Sequence, residues 1–355
     1  MKAIVTGSNG FIGYNICLEL KKLNWQVLGI DDLSNGRKEN VVDGFRYEWA
    51  KIEDRTNTRK LVGEIRPDVI FHLAALPRVA YSVENPYATA VANVMGPISL
   101  LEAVVKEELV GITRVVASSS SSVYGGAEVM PTPEDHPCLP QSPYALEKYH
   151  GEQWCKMFAS LYGLDVVSLR YFNVFGPHSL FGGAYSTVLS AWLYHLYVDP
   201  SYRPFLEGDG SQTRDFCFVD NAVQANIRAG TRTERFDGEA INVAQGLSHS
   251  LLDCKLLLED ISGKRLELDQ RPTRIGDVKH TLADIAMAKS EFDYNPSADF
   301  EEQVSKTAKW YESSYPTPAG AYLIHRLFQL NKAFSKKQHF SRPAERRRSG
   351  GQSRH

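Results

Sequence analysis

The sequence predicts an α/β fold in which helices cover both faces of a doubly wound parallel sheet, with a smaller mixed lobe after it. Two observations predict this fold. Short apolar runs alternate with helix-length periodic segments through the first 172 residues, and three glycines follow the first apolar run. Strands separated by helix-length segments indicate βαβ units, because parallel neighbours need a crossover connection that a helix supplies.

Each element of the sheet is predicted from its own local pattern. Apolar, β-branched runs predict strands at 2–6, 26–30, 68–73, 113–117 and 165–170. Periodic apolar positions predict helices over 12–23, 87–108 and 143–162. The order of these segments is strand, helix, strand throughout, as the fold requires.

Beyond residue 172 the pattern loosens, because Gly and Pro become frequent and the apolar segments shorten. A strand–helix pair over 216–230 and a strand at 240–244 are predicted to return to the sheet. We therefore assign the chain to three parts: a sheet domain of 1–172 plus 216–244, a smaller lobe of 173–215 plus 245–316, and a basic, flexible tail of 317–355.

Composition limits the classes of partner and location. The chain has 355 residues, 43% of them apolar, and a net charge of −2, which favours neither nucleic acid nor an anionic membrane as a partner. No run approaches the roughly 20 apolar residues that span a bilayer, and the first strand follows Met1 too closely for a signal peptide. Five scattered cysteines without a CxxC pair predict neither disulfides nor a metal site. We expect a cytoplasmic protein.

A glycine-rich turn and an acidic strand end predict a dinucleotide site. The first strand runs into TGSNGFIG, which places Gly7, Gly10 and Gly13 where a helix begins. Such a turn lets a pyrophosphate approach the backbone N–H groups at the helix N-terminus. The second strand ends in Asp31-Asp32, and a carboxylate there binds the adenosine ribose and repels a 2′-phosphate. A Rossmann-like NAD site follows, although the nearby Arg37 would favour NADP.

A second cluster combines a serine run, a tyrosine and a lysine. Residues 114–125 read RVVASSSSSVYG, and we expect the serines to form the loop at the tip of the fourth strand. Ser142 and Pro143 are typical of a helix start, so Tyr144 and Lys148 lie one turn apart on that helix. A nearby ammonium group and an oxidised nicotinamide, both cationic, would lower the pKa of a phenol from its usual value of about 10. Of the serines, Ser120 is predicted to bind the substrate oxygen.

These motifs together resemble the extended short-chain dehydrogenase/reductase family, specifically its NAD-dependent nucleotide-sugar 4-epimerases. The resemblance covers Lys2 to about residue 315 and rests on TGSNGFIG, DDLSNGRKEN, HLAAL, SSVYG, SPYALEK, LRYFNVFGP, GDGSQTRDF and RPTRIGDVKHTLAD in this order. It implies permanently held NAD, a UDP-sugar substrate, and a homodimer through the helices near 87–108 and 143–162. Tyr144 would be the acid/base, Lys148 its ribose-binding partner, and Ser120 the ligand of the sugar O4.

The resemblance also implies the binding residues. For NAD they are Gly7, Gly10, Phe11, Ile12, Gly13, Asp31, Asp32, Leu33, Ser34, Asn35, Gly36, Arg37, Ile52, Leu73, Ala74, Ala75, Asn93, Tyr144, Lys148, Tyr171 and Phe172. For the nucleotide sugar they are Ser82, Ser120, Asn173, Tyr185, Arg214, Arg274, Asp277 and Thr281. One departure stands out: Lys51 occupies the position where the family has an aspartate near the adenine amino group.

The motifs favour a C4 epimerase over its sister reactions. A 4,6-dehydratase needs an acid and a base before the turn, where this chain has Ser121-Ser122, and an epimerase-reductase needs a cysteine that the matching loop lacks. The small Thr281 leaves room for an N-acetyl group and predicts UDP-GlcNAc/UDP-GalNAc, with UDP-glucose/UDP-galactose as a further pair. UDP-glucuronate stays open because Arg78 and Lys279 are available to a carboxylate.

Two other function classes are kept as alternatives. One is a net NAD-dependent oxidoreductase that exchanges its cofactor, which tightly held NAD would argue against. The other is a non-catalytic NAD-sensing module, which typically lacks the tyrosine and lysine that this chain retains.

Overall fold

A seven-stranded parallel sheet is the centre of the structure, a computed structural model that describes residues 1–182, 187–272 and 278–315. The order across the sheet is β3-β2-β1-β4-β5-β6-β9, which reverses direction between β1 and β4 and confirms the doubly wound fold. The strands are β1 Lys2–Thr6, β2 Gln26–Asp31, β3 Arg46–Trp49, β4 Val69–His72, β5 Arg114–Ser120, β6 Asp165–Tyr171, β7 Phe205–Glu207, β8 Thr213–Asp215, β9 Asp237–Val243, β10 Ser248–Ser250 and β11 Asp269–Arg271.

Helices connect the strands of the sheet and extend into the second half of the chain. They are α1 Phe11–Lys22, α2 Arg55–Ile65, α3 Val79–Glu84, α4 Pro86–Ala90, α5 Gly96–Lys106, α6 Pro143–Tyr162, α7 Val188–Tyr197, α8 Val219–Thr231, α9 Leu251–Ser262, α10 Ala286–Phe292 and α11 Phe300–Ser314. A π-helical turn, Val91–Met95, joins α4 to α5, so the helix predicted over 87–108 is interrupted near its middle.

The five strands predicted in the first half of the chain are confirmed. This half contributes one further strand to the sheet, β3. The edge strand β3 was not predicted, because its four residues RYEW are mostly charged or half exposed and carry little apolar signal. A strand predicted at the start of 216–230 is wrong: the nearby strand is β8, and it pairs antiparallel with β10 outside the main sheet. The return of β9 beside β6 is confirmed.

The sheet is buried on both faces, as a parallel sheet covered by helices requires. Every residue of β4 and β6 is buried. One apolar cluster packs α1 and α8 against one face, and a second packs α2, α5 and α6 against the other. This packing holds the carboxyl ends of the strands, and the loops that follow them, in fixed positions.

A third apolar cluster lies outside the main sheet. It is built from α7, α9 and α11 around Trp192, Phe216 and Tyr311. Two small sheets accompany it, β10-β8 and β11-β7. Met1–Tyr315 forms one compact unit, and the division into two lobes stays a prediction. The predicted tail lies outside the described residues.

One helical stretch, Pro86–Lys106, is long and apolar enough to span a membrane by length and composition, contrary to the expectation from the sequence. Half of its most apolar window is buried inside the fold. Leu100, Leu101 and Val104 on α5 belong to the cluster against the sheet. Apolar side chains of this stretch therefore pack against the sheet.

Candidate active site

The predicted site residues follow the carboxyl ends of five parallel strands, which meet at one edge of the sheet. The glycine turn follows β1, Asp31 ends β2, Leu73 follows β4, Ser120 ends β5 and Tyr171 ends β6. Ligands of open α/β sheets bind at this edge, where the strand order reverses.

The glycine turn packs too closely to the next loop for any side chain. Gly7 has a φ of +68°, and a Cβ added there would lie 2.7 Å from the amide nitrogen of Ala74. A Cβ on Gly13 would lie 2.1 Å from the carbonyl oxygen of Gly7. Gly10 is the N-cap of α1 and has no side chain to accept from the first-turn amides. The helix N-terminus is thus shaped for an anionic group.

Asp31 ties this turn to the end of β2. Its carboxylate accepts hydrogen bonds from the backbone amides of Asn9 at 3.0 Å and Leu33 at 2.8 Å. Burial raises the pKa of Asp31, and the backbone hydrogen bonds oppose that rise. The exposed Asp32 accepts from the backbone amide of Ser34 at 2.9 Å.

Two nearby basic residues bear on the choice of dinucleotide. Arg37 lies 3.6 Å from the carboxylate of Glu39, which offsets the positive charge that would attract a 2′-phosphate. Lys51, at the position where the family has an acid, is exposed and lies 3.9 Å from Glu53. An ammonium group cannot accept a hydrogen bond from an adenine amino group, so Lys51 cannot make the usual contact.

Asn93 was predicted to reach the cofactor, and the structure shows what its side chain holds. The side-chain oxygen accepts from the amide of Leu76 at 2.7 Å, and the side-chain nitrogen donates to the carbonyl of Leu76 at 3.1 Å. The same nitrogen donates to Glu147 at 2.7 Å. Asn93 therefore fastens the segment Leu73–Leu76 that follows β4.

The start of α6 is capped as predicted. The side chain of Ser142 accepts from the amide of Ala145, and Pro143 is the first helical residue. Ser82, predicted to bind substrate, is fully buried; it donates to the carbonyl of Val79 and accepts from the amide of Tyr144 at 3.1 Å. Its hydroxyl thus fixes the first turn of the helix that carries Tyr144.

The serine run lies beside α6, and two of its serines form hydrogen bonds with side chains of that helix. The first three serines belong to β5 and not to a loop, which corrects the expectation from the sequence. Ser118 accepts from the ammonium group of Lys148 through its carbonyl at 2.8 Å and its hydroxyl at 2.9 Å. The hydroxyl of Ser119 donates to Glu152 at 2.5 Å. The hydroxyl of Ser120 accepts from the amide of Ser122 at 3.2 Å and from the hydroxyl of Ser122 at 3.0 Å.

Burial shifts the pKa values of the tyrosine and the lysine in opposite directions. Burial raises the pKa of Tyr144 to about 12, although the side chain of Ser120 lowers it. Burial lowers the pKa of Lys148 to about 8, against the raising field of Glu147. The fall expected for the tyrosine pKa needs the positive charges of both Lys148 and an oxidised nicotinamide, and it stays a prediction.

Asn173 and Thr281, both predicted to bind the sugar nucleotide, are hydrogen-bonded to Asp215, which was not predicted as a site residue. The amide nitrogen of Asp215 donates to the hydroxyl of Thr281 at 3.1 Å, and the side chain of Asn173 donates to the carbonyl of Asp215 at 3.1 Å. Asn173 also donates to the Thr281 hydroxyl at 3.4 Å. Arg214 lies next to this group and donates to the carbonyl of Lys279 at 3.2 Å.

The carboxylate of Asp215 joins three backbone segments beneath these residues. It is fully buried and accepts from the amides of Gln245, Gly246 and Ala283 at 3.0 to 3.1 Å. Burial raises its pKa to about 7 despite those hydrogen bonds. In the sequence only its place in the TRDF motif marks it.

The remaining predicted contacts divide into two groups. Tyr171 and Phe172 are buried, and the hydroxyl of Tyr171 is hydrogen-bonded to Asn226, so both rings pack in the core instead of forming an open wall. Ile52 is likewise buried. Three predicted sugar-nucleotide residues lie outside the described residues, namely Tyr185, Arg274 and Asp277.

The arrangement fits NAD. The glycine turn and the N-terminus of α1 would hold the pyrophosphate, and Asp31 at the end of β2 would bind the adenosine ribose. Lys148 and Tyr144 lie at the opposite end of the site, beside the strand end that carries Ser120. These residues combine a proton-transfer group with a dinucleotide cradle.

Comparison with known proteins gives the same picture. A family model described as the NAD dependent epimerase/dehydratase family matches residues 3–244. The UDP-glucose 4-epimerase of Mycolicibacterium smegmatis is 36% identical over 319 residues, which span 88% of this chain and 99% of that protein.

Two solved structures are similar over nearly the same range. The UDP-N-acetylglucosamine 4-epimerase from Methanobrevibacter ruminantium M1, in complex with UDP-N-acetylmuramic acid, is 34% identical with a TM-score of 0.81, covering 88% of this chain and 99% of that one. The UDP-glucuronic acid 4-epimerase from Bacillus cereus, in complex with UDP-glucuronic acid and NAD, is 29% identical with a TM-score of 0.79, covering 89% and 100%. The chain belongs to the NAD-dependent epimerase/dehydratase family and is an enzyme that uses NAD.

Proposed function

We propose that this enzyme is a UDP-sugar 4-epimerase whose main substrates are UDP-GlcNAc and UDP-GalNAc, with UDP-glucose and UDP-galactose as a second pair. The observation that carries the reaction is that Ser120, at the end of β5, lies near enough to Tyr144 to lower the pKa of its phenol, on the helix that also presents Lys148.

The residues divide the reaction between them. Tyr144 removes the proton from the C4 hydroxyl and later returns it, while Ser120 holds the same oxygen. NAD held by the glycine turn would supply the acceptor for the C4 hydride and, in its reduced form, the donor that returns it. Lys148 provides positive charge that lowers the pKa of the phenol when its ammonium group turns from Ser118 towards the ribose. The 4-keto sugar turns about its diphosphate link between the two transfers.

The preference for an N-acetylated sugar rests on Thr281. Its side chain is small. Its hydroxyl accepts hydrogen bonds from the Asp215 amide and the Asn173 side chain, and these two bonds fix the orientation of the Thr281 side chain. A tyrosine at this position would fill the space beside the C2 substituent. UDP-glucuronate is the second candidate, because the part-buried Arg78 is a cation suited to a C6 carboxylate.

A panel of UDP-sugars tests the proposal directly. The purified enzyme, without added cofactor, is incubated with UDP-GlcNAc, UDP-glucose or UDP-glucuronate, and the products are identified by NMR. We expect UDP-GalNAc from the first sugar at the highest kcat/KM. If none of the three is converted, the assignment as an epimerase is wrong; if only UDP-glucuronate reacts, the sugar assignment is wrong.

Two variants of Thr281 examine the sugar preference. Thr281→Tyr should reduce turnover of UDP-GlcNAc by about tenfold or more while sparing UDP-glucose, since a lost or added contact of this size is worth ~1–3 kcal/mol. Thr281→Ser keeps the hydroxyl acceptor and is the matched control, which should retain both activities. Equal losses on both sugars would contradict the role of Thr281 in selectivity.

We also propose a cytoplasmic homodimer. Its interface would be the outer face of α3 to α6, where apolar side chains are exposed, including Val83, Tyr87, Met95 and Leu161. The exposed apolar area supports association with a second copy. Five free cysteines, four of them buried, are compatible with a reducing compartment.

A further inference from the structure

Glu147 is a buried carboxylate at the centre of the catalytic helix, with no role in the reaction described above. It lies between Tyr144 and Lys148 in α6 and is only 5% exposed. Its two oxygens accept hydrogen bonds from the hydroxyl of Thr89 at 2.6 Å and from the side chain of Asn93 at 2.7 Å. Both partners are neutral. Burying a carboxylate among neutral donors costs free energy, which a role in the site would offset.

Glu147 is connected to the predicted cofactor site through one intermediate residue, Asn93. Asn93 lies in the π-helical turn between α4 and α5, and the same side chain holds both the amide and the carbonyl of Leu76. Leu76 ends the segment that follows β4 along the predicted cofactor path. Short π-helical turns are frequently found at functional sites. Glu147 thus joins the helix of Tyr144 and Lys148 to the loop at the end of β4.

Glu147 also acts on its neighbour through charge. Four groups face Lys148 besides Glu147: Glu152 and Cys155 from α6, His72 from β4 and Ser118 from β5. Burial lowers the pKa of Lys148, and the carboxylate of Glu147 is the strongest of the groups that oppose this. His72 is neutral, because burial and the nearby Lys148 lower its pKa to about 3.

We propose that Glu147 is a positioning residue, which through Asn93 fixes the helix carrying Tyr144 and Lys148 against the loop after β4. The proposal rests on the assignment of Tyr144 and Lys148 as the acid/base pair. A second consequence follows from the charge of Glu147. Without it the ammonium group of Lys148 loses its proton at a lower pH, and the cationic partner of Tyr144 disappears from the upper end of the working range.

Glu147→Gln and Glu147→Ala separate the two effects. A glutamine can accept from Asn93 and donate to Thr89, so it keeps the geometry and removes the charge. We expect this variant to retain NAD and thermal stability, while the alkaline limb of its kcat–pH profile moves to lower pH. At pH 8, kcat should fall by about fivefold, because a displacement of roughly one pH unit from a pKa of about 8 lowers the protonated fraction of Lys148 by that factor. Alanine removes the link as well, and should also lower the NAD content of the purified protein.

The controls keep the proposal open to refutation. Glu102→Gln changes a surface glutamate that pairs with Arg55, and should leave the pH profile and NAD content unchanged. NAD content, measured after gel filtration at pH 7 to 9, needs no sugar, so it tests the link even if the proposed substrates fail. A glutamine variant with the wild-type pH profile, together with an alanine variant that keeps its NAD and loses only melting temperature, would overturn the proposal. If the alanine variant does not fold, the glutamine profile alone decides.

Discussion

Tyr144 is a buried phenol, and burial raises its pKa to about 12. The side chain of Ser120, at the end of β5, opposes that rise. In the proposed reaction the phenol transfers a proton, while the glycine turn holds the pyrophosphate of NAD.

Tyr144→Phe separates these contributions, because it removes the hydroxyl and keeps the ring. We expect kcat to fall by about 10²–10⁴-fold, the range usual for loss of a general acid/base. The NAD content of the purified variant, measured by absorbance after denaturation, should equal that of the wild type. Full activity in the variant would show that another group transfers the proton.

Asp215 gives a pH dependence of stability with a defined sign. Burial raises its pKa from 3.8 to about 7, so between those values the folded protein keeps a proton that the unfolded chain releases. The contribution is fully present below pH 3.8 and is lost as the pH rises towards 7, by at most about 1.4 kcal/mol for each pH unit.

Asp215→Asn cannot titrate and isolates this effect. The free energy of unfolding of the wild type, relative to the variant, should fall between pH 4 and 7 and then level off. Denaturant titrations at four pH values across this range measure it. Parallel pH curves for the two proteins would mean that the three backbone hydrogen bonds keep Asp215 ionised throughout.

At the residue scale, a site residue is predictable when the residues next to it in the sequence mark its position, and unpredictable when its partners are distant in the chain. Ser120, Tyr144 and Lys148 are predictable because a strand end and a capped helix start are both visible in the chain. Glu147 is not, since its partners Asn93 and Thr89 lie 54 and 58 residues away. A glutamate beside a lysine on a helix is usually solvated, and only the packing of α4 against α6 turns this one inward.

At the element scale, the junction of β1 and α1 depends on contacts that only glycine allows. A Cβ on Gly13 would overlap the carbonyl oxygen of Gly7. Gly151 in α6 is the matched control, because it is also helical and a Cβ there meets nothing within 4 Å.

Gly13→Ala should force α1 away from the turn and reduce the NAD content of the purified protein. Gly151→Ala should keep NAD and increase stability by about 0.5–1 kcal/mol, because alanine is the better helix former. Both variants are compared by cofactor absorbance and denaturant titration. Equal NAD content in the two variants would contradict the role of this junction.

The elements themselves are predictable where their patterns are strong. Apolar runs identified β1, β2, β4, β5, β6 and β9, since each is buried in the sheet. The patterns failed at β3, where an exposed edge carries little apolar signal, and at the π-helical turn. The apolar pattern of the sequence does not distinguish such a turn from an α-helix. In the structure, a hydrogen bond between Asn93 in the turn and the amide of Leu76 accompanies it.

At the scale of the whole molecule, the exposed apolar face of α3 to α6 predicts association. Leu161 on α6 is 65% exposed, and Leu256 on α9 is exposed to a similar degree at 62%. Leu161→Asp should convert a dimer to monomers in light scattering at micromolar concentration. Leu256→Asp, the same substitution elsewhere, should not. Dimers that survive the first substitution would argue against an interface through α6.

The residues of the site come from two separate sources. In the proposed reaction, residues of β5 and α6 transfer the proton, and these two elements are joined by hydrogen bonds of Ser118 to Lys148 and of Ser119 to Glu152. The proposed sugar side is assembled from Asn173, Asp215 and Thr281, which are distant from one another in the chain and share their own hydrogen bonds. Either set can be redesigned while the other keeps its internal bonds. Retargeting this enzyme to a new sugar is therefore a matter of altering three backbone segments, with the reactive centre left intact.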